Sequence, residues 1–244
     1  FPPVRSQDMQ NDRKNRIPFR DLGLIDYKEA WDIQEKTLEE IVRQKQESGA
    51  GGIPEGQVIY LCEHPHVYTL GKSGKNQNLL IPDEFLEKIS ARVYRINRGG
   101  DITYHGPGQI VGYPVIDLEA LGIKIKEYVR MLEESVIRTL DQYGITAERL
   151  EGATGVWIDT DKPGKTRKIC AIGVRVSRYV TMHGFALNVN TDLGYFQYIN
   201  PCGFTDKGVT SMQRELGRAL DIHEVRKVLK ERLSEHFQVE SITS

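Results

Sequence analysis

Cys202 lies between Pro201 and Gly203, in a stretch with no regular hydrophobic period. Proline removes an N–H group and fixes φ, and glycine lets a second molecule approach the backbone closely. These flanks favour an accessible sulfur, whose thiolate would be a nucleophile. A free cysteine is also often a small buried apolar residue, so residue chemistry alone leaves both a nucleophilic and a structural role open for Cys202.

A cysteine nucleophile needs a neighbour that favours its thiolate, and Lys168 is a candidate for that neighbour. Lys168 opens the apolar stretch KICAIG. A positive charge near a thiol favours the thiolate, and an ammonium group in an apolar strand is costly to bury without a partner. The alternative is a lysine at the end of a strand whose amine reaches solvent. Cys170, in the same stretch, fits a buried core residue.

The densest cluster of unusual residues is RGGDITYHGPG, residues 98–108. Paired glycines let backbone N–H groups face a ligand, and Arg98, Asp101, Tyr104 and His105 place polar groups beside them. The pattern matches neither the phosphate loop GxxxxGK[ST] nor the dinucleotide fingerprint GxGxxG. It is typical of either a ligand-binding loop or a glycine-rich hairpin.

The run CEHPH places Cys62, His64 and His66 at alternating positions. These are metal-ligand types, and on an unbroken strand they would share one face. Pro65 argues against a regular strand, and no second cluster of ligand types accompanies the run. We therefore expect no catalytic metal, either at this run or at His105.

The elements that must position these residues alternate irregularly between strand and helix. The apolar pattern predicts a strand over residues 17–25, then a helix that begins after Asp26 and ends at the glycines of residues 49–52. The stretch QVIYLCEHPHVYTLG predicts two extended segments broken at Pro65, and PDEFLEKI predicts a short helix. Residues 92–118 predict a strand, a glycine-rich turn and another strand.

The second half of the chain contains the clearest helix, IKEYVRMLEESVIRTLDQYG, which closes at Gly144. Three strands follow in GVWIDT, KICAIGVRVSRYV and MHGFALNVN, and a polar helix over DIHEVRKVLKERLSEHF comes near the end. Strict βαβ alternation is absent. We therefore predict an α/β (α+β) fold, in which a mixed β-sheet is flanked by helices.

Length and composition fit one enzyme-sized domain. The chain has 244 residues, of which 39% are hydrophobic, and its formal net charge is −1, which favours neither nucleic acid nor a membrane surface as a partner. Three widely spaced cysteines do not resemble a disulfide framework, so we expect a cytoplasmic protein. We predict a mobile polar arm over residues 1–16 and a single catalytic domain over residues 17–244.

Three separated stretches together resemble the lipoyl(octanoyl) transferase family. They are RGGDITYHGPGQIVGYPVIDL, KICAIGVRVSRYVTMHGFALNVNTDL and INPCG, and the resemblance extends over most of the chain. It implies the mixed-sheet catalytic fold of the biotin/lipoate protein ligase superfamily. It also implies transfer of an octanoyl group from octanoyl-acyl carrier protein to a specific lysine of lipoyl domains, in lipoate biosynthesis.

The resemblance also implies the site. Cys202 would carry the acyl group as a thioester, and Lys168 would activate it. The substrate-binding residues would be Arg98, Gly99, Gly100, Asp101, Ile102, Thr103, Tyr104, His105, Ala171, Ile172, Gly173, Gly184, Phe185 and Ala186. The acceptors would be the lipoyl domains of 2-oxoacid dehydrogenase complexes and the glycine cleavage H protein. No cofactor is expected, because a thioester donor is already activated and needs no ATP.

Two other functions are compatible with parts of this pattern. An ATP-dependent lipoate or biotin protein ligase on the same fold also uses a lysine, but it forms an acyl-adenylate and needs no cysteine nucleophile. A non-catalytic protein that holds an acyl carrier could keep the glycine-rich slot, but it would have no reason to keep both Lys168 and Cys202. Cys202 is the feature that distinguishes the transferase from both.

Overall fold

A computed structural model describes residues 17–48, 52–200 and 206–237 of the chain. The predicted mobile arm over residues 1–16 lies outside the described residues, and so do Pro201, Cys202 and Gly203. The single domain predicted over residues 17–244 stays a prediction. None of the helices in the described ranges combines the length and the apolar character that a membrane span requires.

The strands and helices alternate irregularly along the chain, as predicted. The strands are β1 Phe19–Leu24, β2 Val58–Glu63, β3 Val67–Leu70, β4 Arg92–Arg95, β5 Ile102–His105, β6 Gln109–Val115, β7 Glu148–Leu150, β8 Ala153–Ile158, β9 Arg167–Ser177, β10 Val180–Asn188 and β11 Gly208–Val209. The helices are α1 Tyr27–Ser48, α2 Asp83–Lys88, α3 Ile125–Gln142, α4 Met212–Leu216 and α5 Ile222–His236, and the short 3-10 turns are Asn76–Asn78 and Leu193–Tyr198.

Two sheets form in the described part of the chain, and the predicted mixed-sheet fold is confirmed. The large sheet has the order β1-β2-β6-β10-β9-β8-β7, with β11 paired to β9, and the small sheet has the order β4-β3-β5. Most neighbours in the large sheet are antiparallel, whereas β1 is parallel to β2 and β11 is parallel to β9. The small sheet also contains both kinds of pair.

Helices cover both faces of the large sheet. Along β2, Ile59 and Leu61 face a core shared with α3 and α5, while Val58 and Tyr60 face a core shared with α1. This is the period-two alternation of a strand. Because both faces are covered, β6 and β10 are buried along their whole length.

The ends of the two long helices follow from their sequence. Lys28 N donates a 2.9 Å hydrogen bond to Asp26 Oδ1, so Asp26 caps α1 as predicted. At the far end of α3, Gly144 adopts φ +76°, and its N–H donates to Asp141 O. That left-handed conformation stops the helix and turns the chain into the next strand, also as predicted.

The strand predicted from KICAIGVRVSRYV is wrong at its end. β9 ends at Ser177 and β10 begins at Val180, so Arg178 and Tyr179 form a two-residue hairpin turn with φ values of +51° and +65°. Such turns usually carry Asn-Gly or a similar pair, because both residues need positive φ. Arg-Tyr gives no turn signal, and the strand-forming residues Val176 and Val180 lie on either side of it.

Candidate active site

A cavity of about 490 Å³ lies against strands of the large sheet and the loop that leads into β5. Its volume is in the range of small-molecule sites. The three predicted substrate-binding stretches, which are far apart in the chain, all reach it. The lining includes every predicted substrate-binding residue except Tyr104: Arg98, Gly99, Gly100, Asp101, Ile102, Thr103, His105, Ala171, Ile172, Gly173, Gly184, Phe185 and Ala186.

Tyr104 lies behind the cavity wall. Its ring stacks on Tyr195 with the centroids 4.9 Å apart, and its hydroxyl is 2.7 Å from His66 Nδ1. It belongs to the core of the small sheet, together with Tyr68 and Leu70. Alone among the predicted substrate-binding residues, Tyr104 therefore supports the wall and does not line the cavity.

Lys168 lines the same cavity and is half-buried. Its backbone pairs with Trp157 of β8 on one side and Val209 of β11 on the other, and Thr210 N donates a 2.9 Å hydrogen bond to Lys168 O. The Lys168 Nζ atom is 4.7 Å from the centroid of the Trp157 ring, a cation–π contact. Strand pairing on both sides therefore fixes the point from which the amine enters the cavity.

The wall beside Lys168 depends on Gly155 and a buried carboxylate. Gly155 has φ +130°, and a Cβ there would be 2.7 Å from Cys170 O and 3.6 Å from Lys168 Cε. Its N–H donates a 3.2 Å hydrogen bond to Glu133 Oε1, and Glu133 Oε2 accepts a 3.0 Å bond from Arg149 Nε. The long helix α3 thus holds the segment that packs against Lys168.

Cys202 lies outside the described residues, but the chain on both sides of it is described. Before it, Phe196 lines the cavity; after it, Lys207, Gly208 and Val209 do. Gly208 and Val209 pair with Arg167 and Lys168. The described chain therefore lines the cavity that Lys168 enters both six positions before Cys202, at Phe196, and five positions after it, at Lys207.

The other two cysteines are poor nucleophiles. Both Cys62 and Cys170 are completely buried, and burial raises the pKa of each thiol well above its usual range. Their sulfurs therefore remain protonated near pH 7. The expectation that Cys170 is a core residue is confirmed by its place in the main hydrophobic cluster.

The loop at residues 98–101 folds onto β9. Gly99 N donates a 3.1 Å hydrogen bond to Val174 O, so this amide faces the strand and not a ligand. A Cβ on Gly173 would be 2.9 Å from Gly99 O, which explains why glycine is needed where the loop crosses the strand. Arg98 is buried and donates to Thr69 O at 2.9 Å.

His105, the last residue of β5, lines the cavity as a neutral imidazole. Gln109 donates through Nε2 to Tyr104 O and to Asn188 Oδ1, so its Oε1 must accept the 2.8 Å bond from His105 Nδ1. This leaves Nε2 as the unprotonated nitrogen of His105. Burial lowers the pKa of His105 to about 3, and His64 adds to that effect. His105 therefore carries no charge near pH 7.

The residues of the CEHPH run separate in the structure. Cys62 Sγ is 3.6 Å from His64 Nε2, whereas His66 stacks on Tyr195 at 4.1 Å. The break predicted at Pro65 is confirmed, since β2 ends at Glu63 and β3 begins at Val67. Across the part of the chain that the structure describes, no group of three His, Cys, Asp or Glu residues could hold a metal ion.

Several lining residues carry no signal in the sequence. Trp157 in GVWI fits an ordinary core strand, and Tyr27 fits the buried stripe of an amphipathic helix, yet both line the cavity. Lys207 lies in an irregular stretch with no motif of its own. Trp157 and Val209 pair with Lys168 across β8 and β11, and that pairing would have indicated both as site residues. The register of strand pairing depends on the tertiary fold, so it could not be predicted from the sequence.

Comparisons with known proteins place the chain in a family. A family model described as the lipoyl protein ligase A/B catalytic domain matches residues 26–234. An octanoyltransferase of Bacteroides fragilis is 58% identical over 209 residues, which are 86% of this chain and 92% of that protein. An octanoyltransferase of Parabacteroides distasonis is 55% identical over 219 residues, which are 90% of this chain and 97% of that protein.

Solved structures with much lower identity share the fold. A bi-partite lipoate protein ligase from Thermoplasma acidophilum superposes with a TM-score of 0.63 at 16% identity, over 95% of this chain and 88% of that one. A lipoate-protein ligase A bound with ATP gives a TM-score of 0.61 at 17% identity, over 95% of this chain and 90% of that one. With the fold and the close relatives in agreement, the chain belongs to the lipoyl(octanoyl) transferase family and is an acyltransferase.

Proposed function

We propose that this enzyme transfers an octanoyl group from octanoyl-acyl carrier protein to a specific lysine of lipoyl domains, through a thioester on Cys202. The observation that carries the proposal is that Lys168 shares one cavity with Phe196, six positions before Cys202, and with Lys207, five positions after it. A lysine amine beside a cysteine favours the thiolate and can later exchange a proton. An adenylate-forming ligase would have no use for the cysteine.

The first step would move the acyl group to the enzyme. The Cys202 thiolate attacks the carbonyl carbon of the donor thioester, a new carbon–sulfur bond forms, and the bond to the carrier's sulfur breaks. The departing sulfur takes a proton from the Lys168 ammonium group, which leaves Lys168 neutral. One thioester replaces another, so the exchange is nearly even in free energy and needs no nucleotide.

The second step would release the acyl group to the acceptor. The neutral Lys168 amine takes a proton from the attacking lysine of the lipoyl domain, the amide bond forms, and Cys202 departs as a thiolate. The Cys202 thiolate and the Lys168 ammonium group from which the first step began are then both restored. Because an amide is more stable than a thioester, this step draws the reaction forward.

The cavity walls suit an unbranched apolar chain. Val111, Ile172, Phe185 and Ala186 line it with hydrocarbon or aromatic surface. Each buried CH₂ group of a bound chain contributes about 0.8 kcal/mol of transfer free energy. We assign the predicted substrate-binding residues that line the cavity to this acyl site. The acceptors we propose are the lipoyl domains of 2-oxoacid dehydrogenase complexes and the glycine cleavage H protein, in the cytoplasm.

Nucleotide-free transfer tests the proposal against the ligase alternative. Purified enzyme, octanoyl-acyl carrier protein and a lipoyl domain are mixed without ATP, and the mass of the lipoyl domain is followed. We expect the domain to gain one octanoyl group, at a rate that added ATP and Mg²⁺ leave unchanged. If transfer occurs only with ATP and free octanoate, the result contradicts the transferase proposal and supports the ligase alternative.

A further inference from the structure

Asn78 is a buried amide in an otherwise exposed turn. It ends the 3-10 turn Asn76–Asn78 and is 8% exposed, whereas Asn76 in the same turn is exposed. Its Nδ2 donates a 2.5 Å hydrogen bond to Asp101 Oδ2. The direction is fixed because a carboxylate only accepts, and a bond to a charged acceptor is stronger than one between neutral groups.

Asp101 lies in the cavity-lining loop, and both oxygens of its carboxylate bind the turn that follows β3. One oxygen accepts from Asn78, and the other accepts a 3.4 Å bond from Lys75 N. Its backbone oxygen accepts from Gly71 N at 2.7 Å and from Arg98 at 3.0 Å. The groups of Asp101 thus join the cavity-lining loop to the turn that follows β3.

The same turn binds the chain just before Cys202. Asn200 N donates a 2.8 Å hydrogen bond to Asn78 O, Leu79 and Ile199 form an isolated antiparallel bridge, and Leu80 N donates to Tyr198 O at 2.9 Å. Asn200 is the last described residue before the cysteine, two positions along the chain. Asn78 therefore contacts the cavity wall with its side chain and the start of the cysteine segment with its backbone.

We propose that Asn78 is a positioning residue that ties the chain leading into Cys202 to the cavity-lining loop, by linking Asn200 to Asp101. This role rests on the proposed acyl-enzyme mechanism. It also gives Asp101 a structural task in the loop, distinct from contact with the acyl chain. A nucleophile displaced by about 1 Å can lose about 10²-fold in rate, so one such link is enough to control the first step.

Exchange of the two side chains tests the link. Asn78→Asp places two carboxylates against each other, and we expect at least a tenfold slower acylation of the enzyme at saturating octanoyl-acyl carrier protein, with the donor KM changed less than twofold. The double variant Asn78→Asp with Asp101→Asn restores one amide and one carboxylate with reversed donor and acceptor. The amide oxygen that it introduces at position 101 can still accept from Lys75 N, so we expect acylation at least threefold faster than in Asn78→Asp alone.

Asn76→Asp is the matched control, because it makes the same substitution on the exposed side of the same turn. An aspartate at position 76 can still accept the hydrogen bond that Arg95 donates to Asn76 Oδ1. We expect its acylation rate to stay within twofold of wild type. If Asn78→Asp does not fold, Asn78→Ala removes the donor without adding a charge, and the same loss in rate at unchanged KM is expected.

The outcomes separate the link from the chemistry. A double variant as slow as Asn78→Asp, or an Asn78→Ala enzyme with the wild-type rate, would overturn the positioning role. The acyl-enzyme mechanism would still stand in that case, as long as the wild-type enzyme is acylated on Cys202. A wild-type enzyme that takes no octanoyl group on Cys202 would overturn the proposed function, and the positioning role with it.

Discussion

At the scale of single residues, the chemistry depends on where one amine sits. Lys168 is paired to Trp157 and Val209 through its backbone, and its amine lies over the Trp157 ring at the edge of the cavity. The electrostatic attraction of an aromatic face for an ammonium group replaces part of the hydration that the group loses when it leaves bulk water. In the proposed mechanism, an amine in this position would favour the Cys202 thiolate and still exchange a proton with a substrate.

Two substitutions of Lys168 distinguish an electrostatic role of its positive charge from a role in proton transfer. Lys168→Ala should lower octanoyl transfer by about 10² or more, the usual scale for a lost acid–base group. Lys168→Arg should not restore the rate, because a guanidinium keeps its proton near neutral pH. Initial rates of lipoyl-domain octanoylation measure both variants, with exposed Lys165→Ala as the control. A Lys168→Arg enzyme with a near-normal rate would show that Lys168 acts through its charge alone.

The residues with unusual flanks were the predictable part of the site. Lys168 at the head of an apolar strand and the glycine pair after Arg98 both break a local pattern, and both reach the cavity. Asn78 and Trp157 break no pattern, because a turn asparagine and a strand tryptophan are ordinary in their elements. Their importance depends on partners 23 and 11 positions away in the chain, Asp101 and Lys168.

At the scale of elements, the helix α3 supports one wall of the site from behind. Four apolar residues at a spacing of four, Tyr128, Leu132, Val136 and Leu140, pack it against the large sheet. Glu133 lies between these positions, buried, and binds both Gly155 N and Arg149. The same helix therefore carries a core stripe and one polar anchor for the segment next to Lys168.

Loss of that anchor should reduce stability. Glu133→Ala leaves a buried N–H without a partner and removes the charge opposite Arg149, so we expect a loss of about 2–3 kcal/mol in the free energy of unfolding. Glu134, the next residue, also binds Arg149 but is more exposed, so Glu134→Ala should cost less than about 1 kcal/mol. Urea denaturation gives both values. Equal losses for the two variants would contradict the anchor.

Most elements follow from local sequence, and the misplaced ones have a physical cause. The helix start at Asp26 and the helix end at Gly144 follow from a side-chain cap and a left-handed glycine. The turn at Arg178 and Tyr179 could not be predicted, because its positive φ values oppose the preference of both residues. The two-residue strand Gly208–Val209 exists only through its pairing with β9.

At the scale of the whole molecule, the cavity is assembled from segments that are far apart in the chain. Parts of the segments 98–105, 168–174, 183–188 and 207–209 meet there. They do so because β9 and β10 are adjacent, β11 pairs with the start of β9, and the loop before β5 folds onto Val174. Strand order and register bring these segments together, and neither can be predicted from the local hydrophobic pattern of the sequence. The family resemblance supplied the list of residues, and the fold supplies their common location.

The proposed covalent octanoyl-enzyme on Cys202 can be detected by intact mass in a single turnover. Enzyme is mixed with octanoyl-acyl carrier protein alone, its intact mass is recorded, and a lipoyl domain is then added. We expect one octanoyl group on the wild-type enzyme, removable by hydroxylamine and discharged to the lipoyl domain at least as fast as steady-state turnover. Cys62→Ser and Cys170→Ser should still form this species and Cys202→Ser should not; a Cys202→Ser enzyme that transfers octanoyl groups at the wild-type rate would contradict the account.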